Sequence, residues 1–167
     1  MGAFRWRAIM TPMPPSQAHD IWEKLYGSLR VLAEGAGGSF AFVVDQGNGL
    51  WCVGLPRTPP TIATTPQNEA ADRFYREEVI PRLSALRRGE RIEIVRGDGD
   101  TGASSDRYVA ISCAAIYMVV VWFKAPFSAQ LVRARIKRSL AEIEALLVSM
   151  PPWGGPGTDA GAGKARA

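Results

Sequence analysis

Histidine and cysteine are almost missing from this chain, and their scarcity excludes several chemistries at once. One histidine, His19, and two cysteines, Cys52 and Cys113, stand in 167 residues. A structural zinc site needs four thiolate or imidazole ligands, and a histidine-based triad needs a nucleophile within reach of its ring. His19 falls in the first turn of an amphipathic stretch with no nucleophile evident, so its plain reading is a helix residue at or near the surface. Each cysteine sits inside an apolar run without a second cysteine or a histidine nearby. Reduced, buried thiols are expected, and a Cys52–Cys113 bridge is the lesser reading. No G-x-S-x-G, H-E-x-x-H or Walker loop is present. No catalytic residue, metal ligand or cofactor is assigned, and the chain reads as a non-enzyme.

Long apolar runs are missing too. The longest nearly apolar run, Ile111 to Phe123, is too short to span a bilayer. The first residues, MGAFRWRAIMTPMPP, carry two arginines but neither a long apolar core nor a small-residue cleavage site, so no secretory signal and a cytoplasmic location are expected. Charge of one sign is scarce in the same way: the net charge of +4 comes from 20 basic and 16 acidic residues, largely interleaved. Local basic excesses occur at Arg5 and Arg7, at Arg82, Arg87, Arg88 and Arg91, and at Arg133, Arg135, Lys137 and Arg138. Only the first has an aromatic residue between its arginines, the single Trp6; the other two have none and no recognised nucleic-acid motif is present, which leaves nucleic acid a minor alternative.

What is present suffices for one domain, with 47% apolar and 22% charged residues. Pro12, Pro14 and Pro15 forbid a continuous helix and mark residues 1–15 as an extended arm. Ser16 is a natural cap for a first helix in which Ile21, Trp22, Leu25, Leu29 and Leu32 recur at helical spacing, closed by Gly35, Gly37 and Gly38. Phe40 to Val44 and Leu50 to Leu55 read as a hairpin. A proline- and threonine-rich loop follows from Pro56 to Pro66, then a second helix from Asn68 to Arg88, ended by Gly89, with Ala71, Phe74, Tyr75, Val79, Leu83 and Leu86 along one side. Pro81 removes a backbone donor and should kink or split that helix near Val79 and Ile80.

RIEIVR, at 91–96, alternates charged and apolar residues as a strand with one wet face does. RYVAISCAAIYMVVVWFK, from Arg107, would be about 60 Å long as one strand at ~3.3 Å per residue, so it must reverse. The turn is expected near Cys113 to Ala115, giving strands at 107–112 and 116–124, the second apolar on both faces and the most buried. A last helix spans Phe127 to Met150, capped by Ser128, with Leu131, Val132, Ile136, Leu140, Ile143 and Leu147 inward. The glycine-rich tail at 151–167 has little to bury and is expected to be disordered. The domain is thus 16–150, an α+β fold with a five-stranded antiparallel sheet and helices on its faces, in the order α-β-β-α-β-β-β-α.

Two polar loops invite functional readings. Asp45-Gln46-Gly47-Asn48-Gly49 follows a strand, but it leads into another strand rather than a helix, so it does not form a phosphate cradle; with Asp45 its only carboxylate it does not form a calcium loop. It reads as a hairpin turn. Gly97 to Asp106 offers Asp98, Asp100 and Asp106 in a calcium-like rhythm, yet no glutamate closes the cage and its flanks are strands, so a strand connection is expected. The second helix and RIEIVR form one continuous unit. If that strand lies at a sheet edge it either invites another chain or is protected by Arg91, Glu93 and Arg96, and periodicity does not choose.

The hairpin FAFVVDQGNGLWCVG, the stretch NEAADRFYREEVIPRLSALRRGERIEIVRG and the closing APFSAQLVRARIKRSLAEIEALL resemble the Roadblock/dynein light-chain family, relatives of the longin domain. The resemblance covers about residues 16–149. It implies a homodimer, or a heterodimer with a related Roadblock protein, joined through the second helix and third strand, which would place Phe74, Glu78, Arg82, Leu86, Arg91, Ile92, Glu93, Ile94 and Val95 at the interface. It also implies a regulator or scaffold of a Ras-like small GTPase, as in bacterial Roadblock proteins of cell polarity and gliding motility, with recruitment to cell poles. The alanine-, glycine- and arginine-rich composition suits a bacterium of high genomic GC content. The arm, the 56–66 loop, Pro81 and the 97–106 loop depart from the family pattern, which leaves open an adaptor without effect on GTP hydrolysis. A small-molecule sensor of profilin or GAF type is the alternative from another class; it needs a cavity between sheet and helix, which Trp22, Phe42, Trp51, Tyr117 and Trp122 would tend to fill.

Overall fold

A computed structural model describes residues 16–45, 49–54, 65–98, 106–114 and 116–149. The expected arm and tail, most of the proline-rich loop, the tip of the first hairpin and the middle of the 97–106 loop lie outside the described residues, as do the side chains of His19, Trp51 and Cys52. The elements are α1 (Ser16–Ala36), β1 (Phe40–Asp45), β2 (Gly49–Gly54), a helical segment that begins as α2 (Thr65–Phe74) and ends as α3 (Leu83–Arg87), then β3 (Glu93–Arg96), β4 (Arg107–Cys113), β5 (Tyr117–Phe123) and α4 (Ala129–Ser149). The five strands lie in the order β2-β1-β5-β4-β3, every neighbouring pair antiparallel.

The central strands are apolar on both faces because both faces are covered. Ala41, Val43, Val109, Ile111, Val119 and Val121 meet Leu25, Leu29 and Leu32 of α1 and Val132, Ile136, Leu140, Ile143 and Leu147 of α4. The alternate residues Phe40, Phe42, Val44, Tyr108, Ala110, Met118, Val120 and Trp122 meet Ala71, Phe74, Val79 and Leu86 of the middle helical segment. Each fully buried side chain of this size stabilises the fold by about 1.5–3 kcal/mol. The second layer is filled by rings: Tyr108 and Trp122 stack at 4.9 Å between centroids, and Phe74 stands edge-on to Tyr108 at 5.1 Å. A ligand cavity there, as the sensor reading requires, would have to displace that stack.

Both early helices end as their glycines indicate. Gly37, at φ +70°, is followed by Gly38, whose N–H bonds the Ala33 carbonyl at 2.8 Å. Gly89, at φ +74°, is followed by Glu90, whose N–H bonds the Ala85 carbonyl at 3.1 Å.

Several expected boundaries move, each for a local reason. The second helix starts at Thr65, taking in Pro66, because the first turn of a helix needs no N–H from a proline. The third strand pairs only from Glu93, since the Ile92 N–H is taken by the Ser112 hydroxyl at 2.7 Å rather than by the ladder. The reversal between β4 and β5 occurs at Ala114, held at φ 47°, with strands at 107–113 and 117–123. Leu131, expected inward, is 70% exposed, because the buried stripe of α4 runs through Val132 and places its neighbour about 100° around the helix. The last helix starts at Ala129, leaving Phe127 outside it to stack on Phe123 at 4.2 Å.

Candidate partner interface

Pro81 sets the geometry of the face that the middle helical segment shares with β3. Its missing N–H and its ring prevent an ordinary turn against Glu77. The chain instead forms a π turn over Tyr75–Val79, with the Ile80 N–H reaching five residues back to the Tyr75 carbonyl, then a 3₁₀ turn over Ile80–Arg82. The extra residue lets Phe74 and Val79, five apart, both point into the core at 1% exposure. It also turns Glu78 inward, and π turns recur where function needs an unusual side-chain direction.

A buried carboxylate is costly unless it is paired and hydrogen-bonded. Glu78, 3% exposed, is paired on every side. Its Oε1 accepts from the Tyr108 hydroxyl at 2.7 Å and from Arg96 Nη2 at 2.8 Å, and its Oε2 accepts from Arg82 Nη1 at 2.7 Å. Arg82 also bonds the Glu78 carbonyl at 2.9 Å, and the Arg96 guanidinium lies 5.9 Å from the centre of the Tyr108 ring. Burial, followed by the bond to Glu78, pushes the Tyr108 phenol well above its ordinary pKa. The network fastens three elements together: the π turn, the end of β3 and the start of β4.

β3 is an outer strand of the sheet. Its pairing with β4 matches Ile94 to Ala110 and Arg96 to Tyr108 on the face of the aromatic layer, and Val95 to Val109 and Glu93 to Ile111 on the face of α4. Glu93 is engaged there by Arg133 and Lys137. The Ile92 carbonyl accepts from the Ser112 N–H at 2.9 Å, so its peptide groups point toward β4. Peptide direction alternates along an antiparallel strand, and those of Ile94 and Arg96 therefore also point inward. The groups of Glu93 and Val95 point away from the sheet.

The residues expected at an interface thus divide. Phe74 and Leu86, each 1% exposed, and Glu78 are inside the chain's own core and are not on its surface. Arg82, Ile92, Ile94 and Val95 are half-buried, and Arg91 and Glu93 exposed. The structure gathers Glu78, Arg82, Ile92 and Ile94 on one side of β3 and adds Arg96 and Tyr108, which the sequence reading did not assign. The Glu78–Arg82 spacing of four was a legible helical pair; Arg96 and Tyr108 reach Glu78 only through the strand pairing. The acidic loop does other work at its ends. The Asp98 Oδ1 accepts from the Ala129 N–H at the start of α4 at 3.1 Å, and Asp106 receives Arg73 through two bonds of 2.6 and 2.8 Å. Among the described residues no group of three or more His, Cys, Asp or Glu could hold a metal ion, and no helix is long and apolar enough to cross a membrane.

No protein-family model matches the chain, and no curated protein matches it. Solved structures do. MglB of Myxococcus xanthus superposes with a TM-score of 0.54 at 18% identity, over 87% of this chain and 100% of that one. The gliding protein MglB of Thermus thermophilus gives 0.57 at 14% identity, over 80% and 93%. An MglB structure with a tetrameric arrangement gives 0.60 at 13%, over 83% and 96%. At these identities the likeness is one of fold, and it is the Roadblock/longin-like fold that the sequence resemblance implied.

Proposed function

We propose that this chain is a non-enzymatic, Roadblock-type regulator or adaptor. It pairs with itself or with a related Roadblock protein along β3 and the helical segment beside it, and the pair engages a Ras-like small GTPase in bacterial cell polarity or motility, in the cytoplasm with recruitment to cell poles. The observation that carries this reading is the outer strand β3, whose Glu93 and Val95 peptide groups face away from the sheet next to half-buried Ile92 and Ile94. Such an edge binds another strand through its backbone and an apolar partner through its side chains. The fold shared with gliding-motility MglB proteins, one of them in a tetrameric arrangement, supports the same assignment.

Light scattering on the purified chain tests the pairing: a dimer is expected, and Ile94→Asp should return it to monomer. A monomer at every concentration would remove the proposal. Binding of the dimer to a Ras-like GTPase loaded with a GTP analogue tests the second part, and GTP hydrolysis with and without the chain separates a stimulating regulator from a passive scaffold.

A further inference from the structure

We infer that a second copy of this chain joins β3 in one register only, with Ile94 facing Ile94 across a two-fold axis, and that Glu78 makes this register available by drawing Arg96 away from the seam. The inference rests on the proposed self-pairing and adds to it the alignment and the residue that selects it.

Three geometric facts restrict the alignment. A two-fold that extends the sheet must match faces, so residues of the aromatic-layer side (Ile92, Ile94, Arg96) oppose one another, and those of the α4 side (Glu93, Val95) do likewise. Only the peptide groups of Glu93 and Val95 are directed outward, so they must supply the bonds. Gly97 turns the chain off at φ +72°, which ends the usable edge at Arg96. A centre on Val95 would pair Glu93 with Gly97, where the strand has already ended, and keep only the two bonds at the axis. A centre on Glu93 would set two glutamates face to face, each already engaged by Arg133 and Lys137 of its own chain, and would pair Val95 with Arg91, which lies outside the strand. A centre on Ile94 uses the whole segment from Ile92 to Arg96: Glu93 and Val95 of one copy exchange four backbone bonds with Val95 and Glu93 of the other, and no like charges are opposed.

That alignment sets Arg96 opposite the second copy's Ile92. A free guanidinium there would meet apolar surface, a costly neighbour once water is excluded. In this structure the Arg96 side chain bends back, bonded to Glu78 at 2.8 Å and lying against Tyr108. Glu78 is therefore a positioning residue for the edge.

Cysteine scanning tests the register. Facing residues at a non-hydrogen-bonded antiparallel position have Cα atoms about 4.5 Å apart, inside the disulfide range, whereas residues offset by two lie at roughly 7–8 Å. Under mild oxidation Ile94→Cys should give a covalent dimer linked 94 to 94, identified by mass spectrometry, while Glu93→Cys and Val95→Cys should not link to themselves; the unaltered chain, with Cys52 and Cys113, sets the background. A dimer that links at 95 or at 93 instead would overturn the register and leave the self-pairing standing, whereas absence of any dimer in the unaltered chain would remove both. The role of Glu78 is read from dissociation constants. Glu78→Gln should weaken the dimer at least about tenfold, the scale of one charge set against an apolar neighbour. Adding Arg96→Leu should restore it, which a purely structural loss would not do. Arg96→Leu alone, which leaves Glu78 bonded to Arg82 and Tyr108, should keep the dimer; its loss in that variant, or failure of the double variant to recover, would overturn the role of Glu78.

Discussion

Ala114 and Cys113 stand side by side where β4 ends, and each carries a prediction of its own. Ala114 is the only non-glycine with positive φ among the described residues, at 47°. Its conformation is supported by an Ile116 N–H bond to its carbonyl at 2.8 Å and by its own N–H bond to Glu144 at 3.3 Å. An L-residue held there costs about 1–2 kcal/mol, more than the extra entropy glycine loses, so Ala114→Gly should stabilise the protein by about 0.5–1 kcal/mol, read as a melting temperature higher by about 1–4 °C. Cys113 is 3% exposed, and burial, followed by nearby Glu144, pushes its thiol from 9.0 up to about 12. The folded state thus favours the protonated thiol, while the unfolded chain releases its proton near the ordinary value. The resulting stability is fully present below that ordinary pKa and is lost as pH rises from about 9 toward about 12. Urea melts at stepped alkaline pH should show this decline, flattened in Cys113→Ala, and the native thiol should resist alkylation at pH 8 until the chain is unfolded.

At the scale of elements, the segment from Tyr75 to Arg82 and the end of β3 depend on each other. Glu78→Ala would leave the buried Tyr108 hydroxyl without its acceptor and free both arginines. With those arginines 39% and 43% exposed, water recovers much of their loss, so a cost of about 2 kcal/mol is expected in chemical denaturation. Gly97 closes β3 at φ +72°, and a Cβ there would come within 2.6 Å of Arg107 Cγ and 3.2 Å of the Asp106 carbonyl oxygen. Gly97→Ala should therefore cost about 1–2 kcal/mol by the same denaturation measurement, with the backbone conformation contributing whether or not the Arg107 side chain yields. The split of the middle helix was legible in Pro81. The inward turn of Glu78 was not, because a π turn rephases the helix by a residue that local propensity does not announce.

For the whole molecule, the three layers leave β3 at an outer edge of the sheet, lined by half-buried apolar side chains. If this edge is the seam between copies, association stabilises the folded state by mass action. The melting temperature of the unaltered chain should then rise with protein concentration, and that of Ile94→Asp should not. Scanning calorimetry over a hundredfold concentration range checks this. Phe74 and Leu86 show the limit of reading such a face from sequence: their helical spacing marks them as apolar and aligned, but the same spacing serves a core or a partner, and here the chain's own sheet claims them.

The sequence by itself determined the α+β class, the antiparallel sheet, two glycine-closed helices, the break at Pro81 and the strand at RIEIVR, because periodicity, proline and positive-φ glycine act locally. It also carried enough pattern to indicate the Roadblock fold. Only the tertiary structure decided that β3 is outermost, that its Glu93 and Val95 peptides face outward, and that Glu78, Arg96 and Tyr108, drawn from three elements, converge in one buried network. Those outcomes depend on strand order and register, which follow from the packing of distant segments on both faces of the sheet and leave no trace in any short stretch of sequence.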